Sequence, residues 1–180
     1  MIAIAQGPAF GGGCGIFFSA DIRLSLESAT FQLSEVRRGL VPALISPTII
    51  REWGVPLARE AMLSSRTISA SELRNVGAIT STFVTVAEGE EQLTQLITNL
   101  RKGGPQALQT CKSLVRSQAS TGLSIMPPAA DKGQQAFENI SSAFTTMMGP
   151  SEEAVQGIMN FRESKGKKDV DWLEFYRSKL

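Results

Sequence analysis

The feature that most constrains this sequence is a cluster of glycines set between two apolar segments. Residues 1–7 have almost no polar face, which is typical of a strand buried on both sides in a parallel sheet. The chain then passes through Gly11-Gly12-Gly13-Cys14-Gly15 into residues 16–20, an apolar stretch consistent with a buried helix. Glycine costs backbone entropy, so three in succession need a reason. The cluster therefore predicts a strand, a tight turn and a helix start.

Two interpretations of the turn are open. It is either a connection that requires positive φ, or a place where a ligand approaches the backbone closely and uses its amides. No lysine follows at the spacing of a P-loop, and the sixth position of a G-x-G-x-x-G fingerprint would fall on Ile16 or Phe18. What remains is a helix N-terminus with unpaired N–H groups, which can stabilise a developing oxyanion.

Composition excludes several kinds of chemistry. The chain has 180 residues, enough for one domain or one and a part, and it contains no histidine, which excludes Ser-His-Asp and Cys-His nucleophiles. Cys14 and Cys111 alone make neither a zinc site nor a disulfide framework, so we expect no metal. The net charge of +1 gives no broad attraction to nucleic acid or anionic lipid. No stretch is long and apolar enough to cross a bilayer, so we expect no membrane partner either.

Hydrophobic patterning places the strands in the first half of the chain and helices in the second. Strands are predicted over residues 1–7, 21–26, 30–33 and 82–86. Ser69-Ala70-Ser71-Glu72 is a capping box that starts a helix ending at Gly77. Further helices are predicted over 56–64, 93–100 and 105–118, and around Phe137, Ile140, Phe144 and Met147, and Val155, Ile158 and Met159, the last with Ser151 as its cap. We therefore expect an α/β core over 1–87 and a helical region over 88–180.

The last three residues match a known type of targeting signal. Ser178-Lys179-Leu180 matches the C-terminal peroxisomal signal, which an import receptor reads as a free tripeptide. It follows a polar run over 162–171 that should leave it accessible. The alternative is a chance tripeptide at the end of an amphipathic tail. We expect a peroxisomal protein that binds this receptor.

Three blocks of the sequence form a distinctive set: the glycine block 7–15, Ala20-Asp21-Ile22-Arg23, and the stretch 29–42, which contains Ser34-Glu35-Val36-Arg37-Arg38-Gly39-Leu40-Val41-Pro42. Together they resemble the central signature of the enoyl-CoA hydratase/isomerase (crotonase) superfamily. Residues 58–79 and 151–168 also resemble the family, so the similarity spans nearly the whole chain. The continuation Ala43-Leu44-Ile45-Ser46-Pro47 resembles the methylglutaconyl-CoA-hydratase-like branch.

The resemblance implies an α/β, crotonase-like (ClpP/crotonase) ββα spiral, followed by a C-terminal helical region. Its N-terminal part is expected to be missing, because Met1 falls where the family has the first residues of an inner strand. The family forms trimers or hexamers, so a homo-oligomer is expected. A polar helix end with Arg162, Lys165, Lys167 and Lys168 is either solvated or, as in the family, near the phosphates of coenzyme A.

The resemblance also implies roles for individual residues. The family binds acyl-CoA thioesters and stabilises an enolate with backbone amides, one of which falls on Gly12. Glu35 matches the second of two family glutamates, whereas the first falls on Gly15 and is absent. Substrate-binding positions fall on Phe10, Gly11 and Pro42. No cofactor is implied, since the coenzyme A thioester is the substrate.

Two questions stay open at this point. A single carboxylate favours a Δ3,Δ2-enoyl-CoA isomerase, because it can carry one proton between two carbons, whereas the branch signature favours a hydratase. The expected function is therefore a hydratase or isomerase in peroxisomal fatty-acyl or secondary-metabolite metabolism, including fungal toxin assembly. The alternative is a truncated, catalytically weak or inactive crotonase-like subunit with a binding or assembly role.

Overall fold

A computed structural model describes residues 1–38, 40–121, 152–164 and 170–179. The chain divides into two compact units, Met1–Gln95 and Leu96–Leu180. Several sequence predictions lie outside the described residues: the helix around Phe137, Ile140, Phe144 and Met147, the cap at Ser151, the lysines 165, 167 and 168, and Leu180. Among the helices that are described, none has the length and hydropathy needed to cross a membrane.

The first unit contains two small sheets. The strands are β1 (Ile2–Ala5), β2 (Ala9–Phe10), β3 (Ile22–Leu26), β4 (Thr30–Gln32), β5 (Ile68–Ser69) and β6 (Ser81–Phe83). One sheet has the order β1-β3-β6 with parallel pairs throughout, which suits the nearly uniform apolar character of β1. The other has the order β2-β4-β5, with β2 parallel and β5 antiparallel to β4.

Helices follow these strands and make up most of the described part of the second unit. They are α1 (Gly12–Phe18), α2 (Ser46–Trp53), α3 (Val55–Ser64), α4 (Ala70–Asn75), α5 (Val86–Leu100), α6 (Pro105–Thr121), α7 (Glu152–Ser164) and α8 (Trp172–Arg177), together with a 3-10 helix over Glu35–Arg38. The predicted strand over 82–86 is too long at its end, because α5 already begins at Val86. There the Thr85 hydroxyl accepts the Glu88 amide at 3.2 Å, and Glu88 accepts the Val84 amide at 2.8 Å, which together cap the helix.

The core of the first unit is aromatic around α1. Phe18 is fully buried and its ring packs edge to face on Phe17, Phe31 and Trp53, with centroids 4.9–5.4 Å apart. Burying a side chain of this size stabilises the fold by about 1.5–3 kcal/mol. The C-terminal half of α1 is therefore fixed, and with it the direction of the glycine-rich start.

A buried arginine caps the C-terminal end of α1. Arg23 on β3 is 6% exposed and donates to the carbonyls of Phe18 and Ala20 at 2.9 and 2.8 Å. Its guanidinium also forms an ion pair with Glu52 at 2.6 Å. A cation at a helix C-terminus is favourable because the last carbonyls carry partial negative charge. Arg23 thus fastens α1 to the parallel sheet.

The capping box that starts α4 forms as predicted. The Ser69 hydroxyl accepts the Glu72 amide at 3.2 Å, and the Glu72 carboxylate accepts the Ser69 amide at 3.0 Å. The same carboxylate pairs with Arg66 at 2.8 Å. These hydrogen bonds, that of the Ser69 amide first, lower the pKa of Glu72 below its usual value of 4.5.

One buried carboxylate organises the second unit. Glu153 on α7 is 5% exposed and accepts the amides of Gln106 and Ala107 at 3.0 and 3.1 Å, so it caps the start of α6. Tyr176 on α8 also donates to it. A Cβ on Gly104 would lie 2.4 Å from this carboxylate, which explains the glycine there.

Candidate active site

The glycine turn forms the predicted transition from strand to helix. Gly11 follows β2 with φ 47° and ψ −117°, a backbone conformation that favours glycine, and its amide donates to the Gln32 carbonyl at 2.9 Å. The first bond of α1 runs from the Gly15 amide to the Gly11 carbonyl at 3.3 Å. No side chain in the described part of the chain caps the helix. The amides of Gly12 and Gly13 therefore have no intrahelical acceptor and face outward from the helix start.

The Glu35 carboxylate lies directly against this turn. An ideal Cβ on Gly11 would stand only 2.8 Å from Glu35 Oε1, so the carboxylate occupies the space that any other residue's side chain would need. Glu35 is held there by its own backbone, since its carbonyl accepts the Leu40 amide at 3.1 Å and it begins the 3-10 helix. Its Oε2 atom is buried and has no hydrogen-bond partner among the described residues. A buried carboxylate oxygen without a hydrogen-bond partner is rare, and its place against the glycine turn makes it a candidate for contact with a ligand.

A cavity of about 800 Å³ opens beside Glu35. It is lined by Phe10, Gly11, Gln32, Ser34, Glu35, Arg37, Arg38 and Leu40. The structure thus brings three of the sequence-predicted site residues together, namely Phe10, Gly11 and Glu35. Gly12, the first residue of α1, and Pro42, whose carbonyl accepts the Ser46 amide at 2.9 Å, are not part of this lining. The roles of all five stay predictions.

Sequence reasoning missed the polar wall of the cavity. Gln32 and Arg37 both donate to the carbonyl of Ser65, at 2.7 and 2.8 Å, and Arg38 donates to the Ser34 hydroxyl at 2.8 Å. Ser65 is fully buried and has φ 52°, unusual for a residue with a Cβ. This left-handed turn aims its carbonyl at both side chains. Nothing local in the sequence marks a contact between residues about thirty positions apart.

Cys14 on α1 is a structural residue. Its side chain is fully buried and its thiol donates to the Ala9 carbonyl at 3.2 Å. Burial raises the pKa of the Cys14 thiol to about 11, and the nearby charge of Glu35 adds to the rise. The thiol is therefore protonated at neutral pH and is not a nucleophile. Within the described ranges, no three metal-binding side chains come together either.

Fold and site together define a crotonase-type protein. An enoyl-CoA hydratase from Shewanella pealeana superposes with a TM-score of 0.76 at 30% identity, covering 91% of this chain and 57% of that one. A putative enoyl-CoA hydratase/isomerase from Mycobacterium abscessus gives 0.75 at 27% identity, covering 95% and 66%. The expected fold class is confirmed.

The family model for enoyl-CoA hydratase/isomerase matches residues 1–167, and the chain belongs to that family. An Alternaria alternata protein named as an enoyl-CoA hydratase is 39% identical over 175 residues, which is 95% of this chain and 53% of that protein. The 2,3-dehydroadipyl-CoA hydratase of Escherichia coli is 27% identical over 166 residues, 92% of this chain and 60% of its own length. The chain thus spans about half the length of the curated relatives it matches.

Proposed function

We propose that this chain binds an acyl-CoA thioester and moves a proton at the carbon next to the thioester carbonyl. The observation that carries the proposal is Oε2 of Glu35, a buried carboxylate oxygen that no group of the described residues hydrogen-bonds, in a side chain set against the glycine turn beside a cavity. A base of this kind needs a position from which it can reach a C–H bond without competing hydrogen bonds. Membership of the enoyl-CoA hydratase/isomerase family supports the substrate class.

The glycine turn supplies the electrostatic part of the proposed mechanism. When a proton leaves the α-carbon, negative charge moves onto the thioester oxygen and an enolate forms. The Gly12 amide at the start of α1 is unpaired within the helix and carries the positive end of its dipole. One such donor lowers a barrier by about 2.7–4 kcal/mol in comparable sites. Glu35 takes the proton, and Phe10, Gly11 and Pro42 are assigned to substrate binding.

The proposal involves no cofactor, because the coenzyme A thioester is itself the substrate. We further propose a homo-oligomer, since the family suggests one. The setting we propose is peroxisomal fatty-acyl or secondary-metabolite metabolism, including fungal toxin assembly. The three Alternaria alternata proteins that resemble this chain, each named as an enoyl-CoA hydratase, support the proposal of a role in secondary metabolism.

The peroxisomal location rests on Ser178-Lys179-Leu180. Ser178 and Lys179 are exposed, although the Ser178 hydroxyl donates to the Phe175 carbonyl at 2.8 Å and Lys179 pairs with Glu152. A fluorescent protein fused to the N-terminus of the chain should enter peroxisomes. A fusion that lacks Leu180 should stay in the cytosol. If both fusions show the same distribution, the tripeptide is not a targeting signal.

Hydrogen exchange tests the enolate step without assuming which product forms. The purified 180-residue protein is incubated with a saturated acyl-CoA in D2O, and deuterium at the α-carbon is followed by mass spectrometry. We expect exchange in the wild type and a loss of about 10²–10⁴-fold in Glu35→Gln, the share that a positioned base supplies. Glu90→Gln, an exposed carboxylate on α5, is the matched control and should exchange normally.

Two outcomes would contradict the proposal. Exchange that survives Glu35→Gln would show that another group is the base. Binding of acyl-CoA without any exchange would favour the alternative function, an inactive crotonase-like subunit with a binding or assembly role.

A further inference from the structure

The segment that carries Glu35 is tied at two points to a single backbone carbonyl. Gln32 ends β4 three residues before Glu35, and Arg37 lies two residues after it on the 3-10 helix. The side-chain amide of Gln32 and the guanidinium of Arg37 donate to the Ser65 carbonyl at 2.7 and 2.8 Å. A carbonyl oxygen has two lone pairs, so these two donors use its full accepting capacity. Glu35 therefore stands between two side chains that are fixed at one point.

The Ser65 carbonyl belongs to a part of the chain that is itself held in place. Ser65 follows the last residue of α3, and its amide donates to the Ala61 carbonyl at 2.9 Å. The next residue, Arg66, forms ion pairs with Glu60 on α3 at 2.5 Å and with Glu72 on α4 at 2.8 Å. The carbonyl is thus fastened to two helices that lie outside the segment carrying Glu35, and it can serve as an anchor for that segment.

Two unfavourable features of Ser65 indicate that this anchor has a use. Its backbone is left-handed, with φ 52° and ψ 32°, a conformation that is unfavourable for a residue with a Cβ. A glycine, which is common at helix ends, would adopt it without strain. The Ser65 hydroxyl is also buried, with no hydrogen-bond partner among the described residues. Strained residues cluster at functional sites, so an outlier next to the candidate base calls for a functional explanation.

The 3-10 helix that begins at Glu35 needs support from outside. It is only one turn long, and its Arg37 amide donates to the Ser34 carbonyl at a distance of 3.3 Å. Hydrogen bonds in such helices have poor geometry. With about three residues per turn, the side chains of Glu35 and Arg37 leave the helix on different sides. Arg37 can therefore hold the helix without occupying the place of the carboxylate.

We infer that Arg37 is a positioning residue for Glu35. By donating to the Ser65 carbonyl, Arg37 holds the 3-10 helix at the place where the Glu35 carboxylate lies against the glycine turn. The inference rests on the proposed function of Glu35 as the base and adds a second residue to it. Arg37 takes no proton and acts only through the position of the carboxylate. Displacements on the order of 1 Å reduce rates by about 10²-fold, so even a small movement of Glu35 should be measurable.

The test follows α-proton exchange in Arg37→Met over a range of acyl-CoA concentrations. We expect the maximal rate to fall by about ten- to a hundredfold with the half-saturating concentration unchanged, because a displaced base slows the step without weakening binding. A residue that only bound substrate would instead raise the half-saturating concentration. Arg59→Met removes the same charge from an exposed position on α3, outside the cavity lining, and should exchange as wild type.

Arg38→Met separates the anchor from the charge of the cavity wall. Arg38 also lines the cavity and lies three residues after Glu35, on the same side of the 3-10 helix. It donates to the Ser34 hydroxyl, within its own segment. If positive charge assisted Glu35 directly, Arg38→Met would lose at least as much activity as Arg37→Met. The anchor predicts a smaller loss in Arg38→Met, and equal losses would overturn the inference.

Backbone amide protection measures the anchor independently of activity. The Leu40 amide donates to the Glu35 carbonyl at 3.1 Å. Its hydrogen exchange should become about tenfold faster or more in Arg37→Met, since local opening there no longer breaks the bond to Ser65. Unchanged protection of Leu40 would show that Arg37 does not hold the helix.

The outcomes distinguish this inference from the proposed function. If wild type exchanges the α-proton and Arg37→Met does so at the same maximal rate, the role of Arg37 is wrong and Glu35 remains the proposed base. If Arg37→Met does not fold, Gln32→Leu removes the other donor to the same carbonyl and should show the same loss of maximal rate; a wild-type rate there would overturn the inference. If wild type shows no α-proton exchange, both are wrong.

Discussion

Replacing Gly11 with alanine tests whether the glycine turn positions the Glu35 carboxylate. The added Cβ would stand 2.8 Å from Glu35 Oε1, whereas ordinary contact begins at 3.4 Å, so the carboxylate has to retreat by the difference of about half an ångström. Displacements on the order of 1 Å reduce rates by about 10²-fold in well-ordered sites. We therefore expect Gly11→Ala to lower α-proton exchange by roughly ten- to a hundredfold.

The same substitution also strains the backbone. Gly11 has φ 47° and ψ −117°, and a residue with a Cβ in such a sparsely populated region costs roughly 1–3 kcal/mol. For a chain of 180 residues this corresponds to a melting temperature lower by about 2–12 °C. Thermal unfolding followed by circular dichroism measures the loss of stability, and exchange at a temperature well below both transitions measures the loss of activity.

Gly77→Ala is the matched control for backbone strain. Gly77 follows α4 with φ 79°, and a Cβ there would meet no atom within 4 Å. It should lose stability by a similar amount and keep wild-type exchange. If Gly11→Ala also keeps wild-type exchange while it loses stability, the contact with Gly11 does not position Glu35. If Gly77→Ala loses as much activity as Gly11→Ala, the effect is a general consequence of destabilisation.

Three further predictions concern the surroundings of the site. Cys111 is exposed and Cys14 is buried with a pKa of about 11, so a thiol reagent at pH 8 should modify only Cys111 in the native protein, as peptide mass spectrometry would show; a Cys14 adduct would contradict its burial. Arg23→Leu removes the donor to the Phe18 and Ala20 carbonyls, and should lower the free energy of unfolding by about 2–4 kcal/mol in urea titrations; a loss below about 1 kcal/mol would refute its role at α1. The pKa of Glu72 is lowered on folding, so its carboxylate stabilises the protein above its usual pKa of 4.5 and this contribution disappears as pH falls below it. The melting temperature of Glu72→Gln should therefore lie below that of wild type at pH 7 and equal it at low pH. A difference in melting temperature that does not change with pH would show that ionisation of Glu72 does not stabilise the fold.

Features encoded by neighbouring residues could be predicted from the sequence. The first strand, the glycine turn and the capping box at Ser69 each depend on a few adjacent side chains, and all three form where expected. The expected burial of the first strand on both sides is wrong, because β1 lies at the end of the sheet order β1-β3-β6 and only Ala5 is buried. The start of α5 was missed because alternating residues in 82–86 resemble a strand, while the capping pair Thr85 and Glu88 favours a helix.

Features that depend on distant contacts could not be predicted. The sequence shows that residue 15 is a glycine, but only the fold shows that Ile45, thirty positions away, occupies the space above it. Likewise, Arg37 belongs to the cavity because the carbonyl of Ser65 holds its guanidinium. The candidate base was found through a family resemblance, and the wall around it required the three-dimensional structure.

The contact between Gly15 and Ile45 has an evolutionary consequence. A carboxylate cannot be acquired at residue 15 while Ile45 is present, because the two side chains would overlap. Truncation of Ile45 alone leaves a void, which costs about 2 kcal/mol and brings no new chemistry. Each single change is therefore disfavoured, whichever of the two comes first. We expect the residues at positions 15 and 45 to change together or not at all.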